Sequence, residues 1–205
     1  MAAPVRVVLL RHGQTALSVQ RRYSGRGNPE LTELGLAQAQ GAAERIAQES
    51  EVAAVISSPL RRTRQTADAV AGRIGVPVIE EPGFIETDFG GWEGLTFAEA
   101  KARDPQLHAR WLGDPGLAAP DGESFDEVAA RVIAAKDDVV ARYGGQTVVV
   151  VSHVTPIKSL LRHALDVGPQ LLFRLHLDLA SVSVTEFYPD GGAVVRSVNE
   201  TAHLH

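Results

Sequence analysis

Two segments of the chain are almost continuously apolar and rich in β-branched residues: residues 5–10 (VRVVLL) and residues 147–151 (TVVVV). Such runs are typical of strands buried on both faces, as in a parallel sheet covered by helices. A histidine closely follows each run, His12 after the first and His153 after the second. The pattern therefore predicts two central strands whose carboxyl ends deliver histidines to one edge of a sheet, where open α/β folds bind their ligands.

Four further segments have the spacing of apolar positions that indicates helices packed against a sheet. These helices are predicted over residues 32–49, 58–74, 124–143 and 155–165. We expect Ser58 to cap the second helix, with Pro59 at its first position, because this pair is typical of a helix start. A capping box beginning at Ser124 starts the third helix, and Thr155 with Pro156 starts the fourth.

Shorter patterns add strands to the sheet. Residues 53–56 and 76–79 are predicted as strands, and residues 181–188 and 193–198 as a hairpin around a Pro-Asp-Gly-Gly turn. Strands that alternate with helices predict an α/β fold with a mainly parallel sheet. The hairpin is expected at the edge of that sheet.

Composition and charge exclude several classes of protein. The chain of 205 residues has no cysteine, which excludes a disulfide, a thiolate zinc site and a cysteine nucleophile. Its length suits one domain, residues 1–205. The net charge of -5 disfavours a nucleic acid as partner, because nucleic-acid-binding domains usually present a basic face. Without a signal-peptide pattern or an apolar run of roughly 18 residues, we expect a cytoplasmic protein with no membrane partner.

Arginines are concentrated in two short segments despite the acidic net charge. The first contains Arg11, Arg21, Arg22 and Arg26, and the second contains Arg61, Arg62 and Arg64. The second group lies at the amino end of a predicted helix, where the helix dipole favours acidic residues by about 0.3–1 kcal/mol each. Either these arginines point into water or an anion binds there. We expect Arg62 to be the one that points inward.

Residues 84–122 form an aromatic-rich, cap-like insertion between predicted strand and helix. It contains the carboxylates Glu86, Asp88 and Glu93, and glycines typical of tight turns. We expect this insertion to form a small satellite core, a cap over the site, or both.

Two histidines, two arginines and one carboxylate at the ends of regular elements suit phosphoryl transfer without a metal. Neutral imidazole is a nucleophile near pH 7, and the planar fork of arginine binds phosphate oxygens. A carboxylic acid can protonate the leaving oxygen. A second histidine, if protonated, adds positive charge where the transition state gains negative charge.

Four motifs resemble those of the histidine phosphatase superfamily, also called phosphoglycerate-mutase-like, and follow the same order. They are LRHGQT at residues 10–15, SSPLRRTRQTA at residues 57–67, ETDFGGWEG at residues 86–94 and VSH at residues 151–153. The resemblance implies a doubly wound, three-layer α/β/α sandwich whose mostly parallel central sheet has an antiparallel edge. It also implies a single histidine phosphatase domain that uses neither a cofactor nor a metal.

The resemblance also assigns roles to individual residues. His12 is the implied nucleophile that becomes phosphohistidine, and His153 binds the phosphoryl group beside it. Glu86 is the implied proton donor, while Asp88 and Glu93 remain alternatives because they are close to it in sequence. The residues implied to bind the substrate are Arg11, Arg62, Thr15, Ser18 and Arg26.

The predicted function is that of a metal-independent acid phosphatase acting on a small phosphomonoester. Residues 21–29 and 175–181 resemble α-ribazole-phosphate phosphatases and the acid phosphatase half of actinobacterial proteins that also contain a ribonuclease H domain. We therefore expect α-ribazole phosphate as a candidate substrate and a fused ribonuclease H domain as a candidate partner. The alternatives are a phosphoglycerate mutase that uses the same histidine and an inactive phosphate-binding module.

Overall fold

The computed structural model describes residues 3–49 and 51–204, which are organised around one six-stranded sheet. In chain order the strands are β1 (Val5–Arg11), β2 (Val52–Ser57), β3 (Val78–Glu80), β4 (Thr147–Ser152), β5 (Val182–Phe187) and β6 (Ala193–Glu200). Their spatial order is β3-β2-β4-β1-β5-β6. The first four strands are mutually parallel, whereas β5 pairs antiparallel with β1, and β6 antiparallel with β5. The prediction of a mostly parallel sheet with an antiparallel edge is confirmed.

Eight α-helices are formed by the described residues. They are α1 (Ala16–Val19), α2 (Glu33–Ile46), α3 (Arg61–Ile74), α4 (Phe97–Arg103), α5 (Pro105–Trp111), α6 (Phe125–Arg142), α7 (Val154–Leu165) and α8 (Leu171–Arg174). Short 3-10 helices occupy Pro82–Phe84, Gly90–Trp92 and Ala202–Leu204. No helix in the described part of the chain is long and apolar enough to cross a membrane.

Alternate side chains of β1 belong to two separate cores, as the near-continuous apolar run predicts. Val7 and Leu9 lie in a core with residues of α6 and α7, whereas Val8 and Leu10 lie in another with residues of α2 and α3. These four side chains are at most 2% exposed, and burial of each contributes about 1.5–3 kcal/mol. Helices therefore cover both faces of the sheet, which confirms the doubly wound, three-layer architecture.

Two predicted helix starts are wrong, and both lie at the carboxyl edge of the parallel strands. Helix α3 begins after Leu60, which caps it without a side-chain hydrogen bond, so Ser58 is not its cap. Helix α7 begins after His153, and Pro156 lies at its third position. Proline is tolerated there because the first four amides of a helix have no partner within the helix. The capping box at Ser124 is confirmed.

The segment between β3 and α6 contributes most of a third hydrophobic core, which is separate from the two cores beside the sheet. Its fully buried members include Trp92, and its other large members are Phe89, Trp111, Phe125 and Leu172. The indole nitrogen of Trp92 donates a 2.7 Å hydrogen bond to Oδ2 of Asp104. This third core therefore joins the 3-10 helix at Gly90–Trp92 to α4, α5, α6 and α8.

Candidate active site

The parallel pairing of β1 with β4 brings the two predicted histidines together. Arg11 is in register with Ser152, so that His12 and His153 follow neighbouring strand ends. The backbone amide of His12 continues the pairing by donating to the carbonyl of Ser152 at 3.1 Å. The two imidazole rings lie 5.2 Å apart, centroid to centroid, at an interplanar angle of 60°. Both side chains are buried.

Gly13 allows the turn after His12 to lie against the first turn of α2. A Cβ atom on Gly13 would lie 2.4 Å from the carbonyl oxygen of Gly35, which is backbone and cannot move aside. The glycine of the LRHGQT motif is thus required by a close backbone approach. That approach fixes the chain immediately after the histidine.

The ring of His12 is held with its Nε2 atom available for reaction. Its Nδ1 atom lies 2.8 Å from the carbonyl oxygen of Gly13. Because a carbonyl can only accept, Nδ1 carries the proton and Nε2 carries the lone pair. Burial lowers the pKa of His12 well below its usual value, and the nearby charges of Arg62 and Arg11 lower it further. His12 is therefore a neutral imidazole in a cationic setting.

His153 is oriented by the hydroxyl of Ser58, the residue expected from the sequence to cap a helix. Its Nε2 atom lies 2.7 Å from Oγ of Ser58, which is fully buried. Burial also lowers the pKa of His153 well below its usual value, with further contributions from Arg62, His12 and Arg11. Its Nδ1 atom is buried without a hydrogen-bond partner. A phosphoryl oxygen could satisfy that nitrogen.

Arg11 is a cation at the wall of the cleft. One terminal nitrogen donates to the carbonyl of Leu177 at 2.5 Å, and its Nε atom is buried without a partner. Burial lowers the pKa of Arg11 to about 10, while the charges of Glu86 and Asp178 oppose that shift. Arg11 therefore stays positively charged at neutral pH.

Arg62 is fully buried and holds the loop of residues 24–27. Its terminal nitrogens donate to the backbone carbonyls of Ser24, Gly25 and Gly27 at 2.8–3.0 Å. Burial lowers its pKa, and the charges of Glu86 and Glu93 oppose that shift. Its Nε atom is buried without a partner. The expectation that Arg62 points inward is confirmed.

Glu93 holds the same loop through its amides. Its carboxylate accepts hydrogen bonds from the amides of Gly25 and Gly27 at 2.9–3.0 Å. Gly25 also lies so close to the next segment that a Cβ atom there would be 2.2 Å from the carbonyl oxygen of Thr87. Arg62 binds the carbonyls and Glu93 binds the amides, so the loop has little freedom to move.

Among the three carboxylates considered as proton donor, Glu86 is the one that lines the cleft. Glu86 is 5% exposed, and its Oε1 atom accepts the amide of Thr87 at 2.8 Å. Asp88 instead accepts the amide of Gly90 at 2.9 Å. Because Glu93 is bound to the loop and Asp88 to a turn, Glu86 has the geometry that best suits a proton donor.

The three other predicted substrate-binding residues have different locations. Thr15 and Ser18 cap each other at α1 and line the cleft. Arg26 is not among the lining residues, and its guanidinium lies 3.4 Å from the carboxylate of Glu123. The structure thus brings Thr15 and Ser18 to the cleft and directs Arg26 toward an ion pair.

The cleft has a volume of about 550 Å³. Its predicted lining residues are Arg11, His12, Thr15, Ser18 and Glu86. Sequence reasoning did not assign Ser24 or Thr155 to the site and named Arg21 only as a member of an arginine-rich segment, yet all three also line the cleft. Arg21 adopts a left-handed backbone conformation with φ of 54°, which no sequence signal reveals for an arginine. Ser24 lies in residues 21–29, the segment that resembles α-ribazole-phosphate phosphatases, and its hydroxyl is buried without a partner.

Unpartnered nitrogens lie in and beside this cleft: Arg11 lines it, whereas Arg62 and His153 are not among the lining residues. The charges of Arg11 and Arg62 nevertheless act on both histidines. Nε of Arg11, Nε of Arg62 and Nδ1 of His153 are three of the eight buried side-chain polar atoms without a partner in the described residues. Leaving such groups unpaired is unfavourable, so their clustering indicates a site that an anion completes. Within residues 3–49 and 51–204, no group of three or more His, Asp or Glu side chains could hold a metal ion.

The sheet carries a lone-pair-bearing histidine, a second histidine and two arginines near its carboxyl edge, and these groups suit phosphoryl transfer. The family comparison agrees with a phosphatase or a mutase. The chain belongs to the histidine phosphatase superfamily (branch 1), whose family profile matches residues 7–200.

Three relatives illustrate the functions found in similar sequences. The chain is 57% identical over 201 residues to "Bifunctional protein Rv2228c" of Mycobacterium tuberculosis, covering 98% of this chain but 55% of that protein. It therefore spans about half the length of this relative. It is 33% identical to "Phosphoserine phosphatase 1" of Hydrogenobacter thermophilus, covering 98% and 94%. It is 31% identical to "Probable phosphoglycerate mutase GpmB" of Yersinia pestis, covering 98% and 95%.

Solved structures share the fold over nearly the whole chain. YhfR of Bacillus stearothermophilus superposes with a TM-score of 0.90 at 30% identity, covering 98% of this chain and all of that one. An Escherichia coli protein described as a candidate α-ribazole-5′-P phosphatase superposes with a TM-score of 0.83 at 26% identity, covering 96% of each chain.

Proposed function

We propose that this chain is a phosphomonoesterase that hydrolyses a small phosphomonoester through a phosphohistidine formed on His12. The observation that carries the proposal is the hydrogen bond from Nδ1 of His12 to the carbonyl of Gly13. It directs the lone pair of Nε2 away from the backbone, beside the cationic Arg11 and Arg62. Nucleophile and charge are therefore supplied by side chains, and no metal enters the proposed reaction.

In the first step, Nε2 of His12 attacks phosphorus and the bond between phosphorus and the alcohol oxygen breaks. Glu86, in its acid form, gives its proton to the departing oxygen, so the alcohol leaves neutral. Arg11, Arg62 and His153 bind the non-bridging oxygens, with Thr15 and Ser18 at the cleft wall. Their unpartnered nitrogens would donate to those oxygens, which gain negative charge in the transition state.

In the second step, a water molecule attacks the phosphohistidine and the bond between phosphorus and Nε2 breaks. The carboxylate of Glu86 accepts one proton from the water as the new phosphorus–oxygen bond forms. Inorganic phosphate is released, His12 regains its lone pair and Glu86 regains its proton. The cycle therefore balances without a further reactant.

Two alternatives use the same fold. A phosphoglycerate mutase would return the phosphoryl group from His12 to a substrate hydroxyl. The observation that favours this alternative is the similarity to a relative named as a probable phosphoglycerate mutase. An inactive phosphate-binding module is disfavoured by Glu86, because a buried carboxylate lining the cleft would repel an anion and serves no purpose in binding alone.

The experiment is an assay of inorganic phosphate release from p-nitrophenyl phosphate and α-ribazole phosphate, beside mutase activity on phosphoglycerate. We expect phosphate release, trapping of labelled phosphate on the denatured protein, and loss of both in His12→Ala. The matched control is His163→Gln, because His163 lies outside the cleft. Phosphate release that survives in His12→Ala would refute the nucleophile, and mutase activity without phosphate release would favour the second candidate.

The same proposal includes the domain organisation of the protein and the location of its substrate. Because the chain spans about half the length of a relative named as bifunctional, we propose that residues 1–205 act as one phosphatase domain that can be joined to a second domain such as a ribonuclease H. We further propose a cytoplasmic small molecule as substrate, with residues 84–122 acting as a cap beside the cleft. Phosphatase activity of the 205-residue chain on its own would support the domain assignment.

A further inference from the structure

We infer that a second cavity, beside the catalytic cleft, binds a flat aromatic ring in the leaving group of the substrate. This inference rests on the proposed function and narrows the class of phosphomonoester. The cavity, called the aromatic pocket below, has a volume of about 210 Å³. It is lined by Tyr23, Phe89, Phe97, Trp111, Leu112, Phe125, Val154, Thr155, Lys158, Leu172 and Phe173.

The aromatic pocket is continuous with the catalytic cleft. Tyr23, Phe89, Val154 and Thr155 line both cavities. A phosphoryl group bound beside His12 therefore leaves the rest of the ester next to the aromatic pocket. The occupant is the alcohol part of the substrate, because covalent attachment to the bound phosphoryl group places it there.

The rings of the pocket are arranged around Trp111. Phe125 lies 4.8 Å from it, Tyr23 lies 6.0 Å away with its ring edge-on, and Phe173 lies 6.2 Å away in a similar edge-on arrangement. Edge-to-face and offset contacts at such distances are favourable between aromatic rings. An inserted ring would extend this packing. A dry cavity of about 150 Å³ is known to bind benzene, so the size suits a single ring or a small fused ring.

Two polar groups of the pocket are already engaged. The Tyr23 hydroxyl lies 3.2 Å from Nε2 of His108, and burial raises the pKa of Tyr23 to about 12, so it remains uncharged. The Lys158 ammonium donates to the carbonyl of Leu172 at 2.7 Å, which ties α7 to α8. The indole nitrogen of Trp111 is buried without a partner. The lining is mainly aromatic and aliphatic side chains, so selectivity comes chiefly from the shape and apolar nature of the ligand.

Two phenylalanines are left exposed at the entrance. Phe97 is 48% exposed and Phe173 is 43% exposed, although both line the pocket. Exposed apolar surface clustered around a cavity is typical of a binding site. Because these side chains are only partly buried, their truncation is compatible with folding, which makes them suitable for a test.

The test compares esters that differ in the alcohol but not in the kind of leaving oxygen. We would measure kcat/KM for 2-phenylethyl phosphate, 2-cyclohexylethyl phosphate and ethyl phosphate, all of which release a primary aliphatic alcohol. We expect about a tenfold or greater preference for the phenyl ester over either of the others, within the range that an apolar pocket supplies. Equal kcat/KM for the phenyl and ethyl esters, or for the phenyl and cyclohexyl esters, would overturn the inference.

Variants of the two exposed phenylalanines test whether the preference for the phenyl ester arises in the aromatic pocket. We expect Phe173→Ala and Phe97→Ala each to lower kcat/KM for the phenyl ester about fivefold or more while changing that for ethyl phosphate less than about twofold. The matched control is Leu165→Ala, because Leu165 is also exposed, at 45%, but lies outside the pocket. A preference that persists in both phenylalanine variants would place the ring elsewhere and overturn the inference.

A binding measurement separates failure of the inference from failure of the proposed function. Absence of phosphate release from all esters, including p-nitrophenyl phosphate, would count against the phosphatase but not against the pocket. Calorimetric titration of His12→Ala with the phenyl and ethyl esters then tests the pocket without turnover. We expect the phenyl ester to bind about tenfold tighter, with that difference lost in the His12→Ala/Phe173→Ala double variant. Equal affinities would refute the pocket.

Discussion

The hydroxyl of Ser58 lies 2.7 Å from Nε2 of His153, and both side chains are completely buried. A serine hydroxyl can donate to a ring nitrogen that carries a lone pair or accept from one that carries a proton. The contact therefore fixes the ring while allowing its protonation state to change. It leaves Nδ1 as the nitrogen available to a phosphoryl oxygen.

We predict that Ser58→Ala lowers kcat/KM about tenfold, because a buried ring nitrogen loses its partner at a cost of about 1–3 kcal/mol. The control is Ser57→Ala, which removes a buried 2.8 Å hydrogen bond to the carbonyl of Ser58 without touching His153. Both variants should lose similar thermal stability. If Ser57→Ala loses as much activity as Ser58→Ala, the effect of Ser58 is structural.

We predict that Arg62→Lys lowers both activity and stability. The helix-dipole argument alone predicts no loss of stability, but the three carbonyls that Arg62 binds reverse that expectation. One ammonium cannot reproduce the planar fork, so we expect a loss of about 2–3 kcal/mol in the free energy of unfolding, measured by urea denaturation.

The control for Arg62 is its neighbour in the sequence. Arg61→Lys should change the free energy of unfolding by less than about 0.5 kcal/mol, because the Arg61 side chain is 57% exposed and pairs with exposed Glu30. Wild-type stability in Arg62→Lys would contradict the role of Arg62 in holding the loop of residues 24–27.

We predict that Glu86→Gln impairs hydrolysis of ethyl phosphate far more than that of p-nitrophenyl phosphate. An alkoxide needs a proton to leave, and a general acid is worth about 10²–10⁴ in rate, whereas p-nitrophenolate leaves readily without one. The control is Glu93→Gln, which weakens the loop and should reduce both rates by similar factors. An equal loss on both substrates in Glu86→Gln would assign Glu86 to binding instead.

We predict that the protein loses stability as the pH falls below about 6.5. Burial lowers the pKa of His12 and His153 in the folded state. At a pH between the folded-state and unfolded-state pKa of either histidine, the unfolded chain therefore binds a proton that the folded chain does not. The stability is complete above the unfolded pKa and decreases toward acid, by up to about 1.4 kcal/mol per pH unit for each histidine. Urea denaturation from pH 8 to pH 5 measures this slope.

Replacing either histidine should reduce that slope. We expect His12→Asn and His153→Asn each to flatten the stability profile below pH 6.5, whereas His163→Gln, at a more exposed position, should change it less. An unchanged slope in both buried-site variants would mean that other groups control the acid sensitivity.

The sheet and the two histidines could be predicted because their signals are local. The apolar runs ending near His12 and His153 identify central strands, and parallel pairing then brings the strand ends together. The inward direction of Arg62 was also predictable, since it contradicts the preference of its own helix end.

The remaining features depend on contacts between distant parts of the chain. Ser58 precedes a proline and has the local signature of a cap, yet it binds His153, which is 95 residues away. Glu93 resembles the other carboxylates of its segment, but its bonds to the amides of Gly25 and Gly27 distinguish it from Glu86. The aromatic pocket combines residues from distant parts of the chain, from Tyr23 to Phe173, and no periodic pattern predicts such a combination.

The direction of β1 separates its amino end from the cleft. The strand runs seven residues from Val5 to Arg11, so at about 3.3 Å per residue Val5 lies roughly 20 Å from His12, at the opposite edge of the sheet. A label placed on the side chain of a residue near Val5 therefore lies far from the cleft and leaves its entrance free.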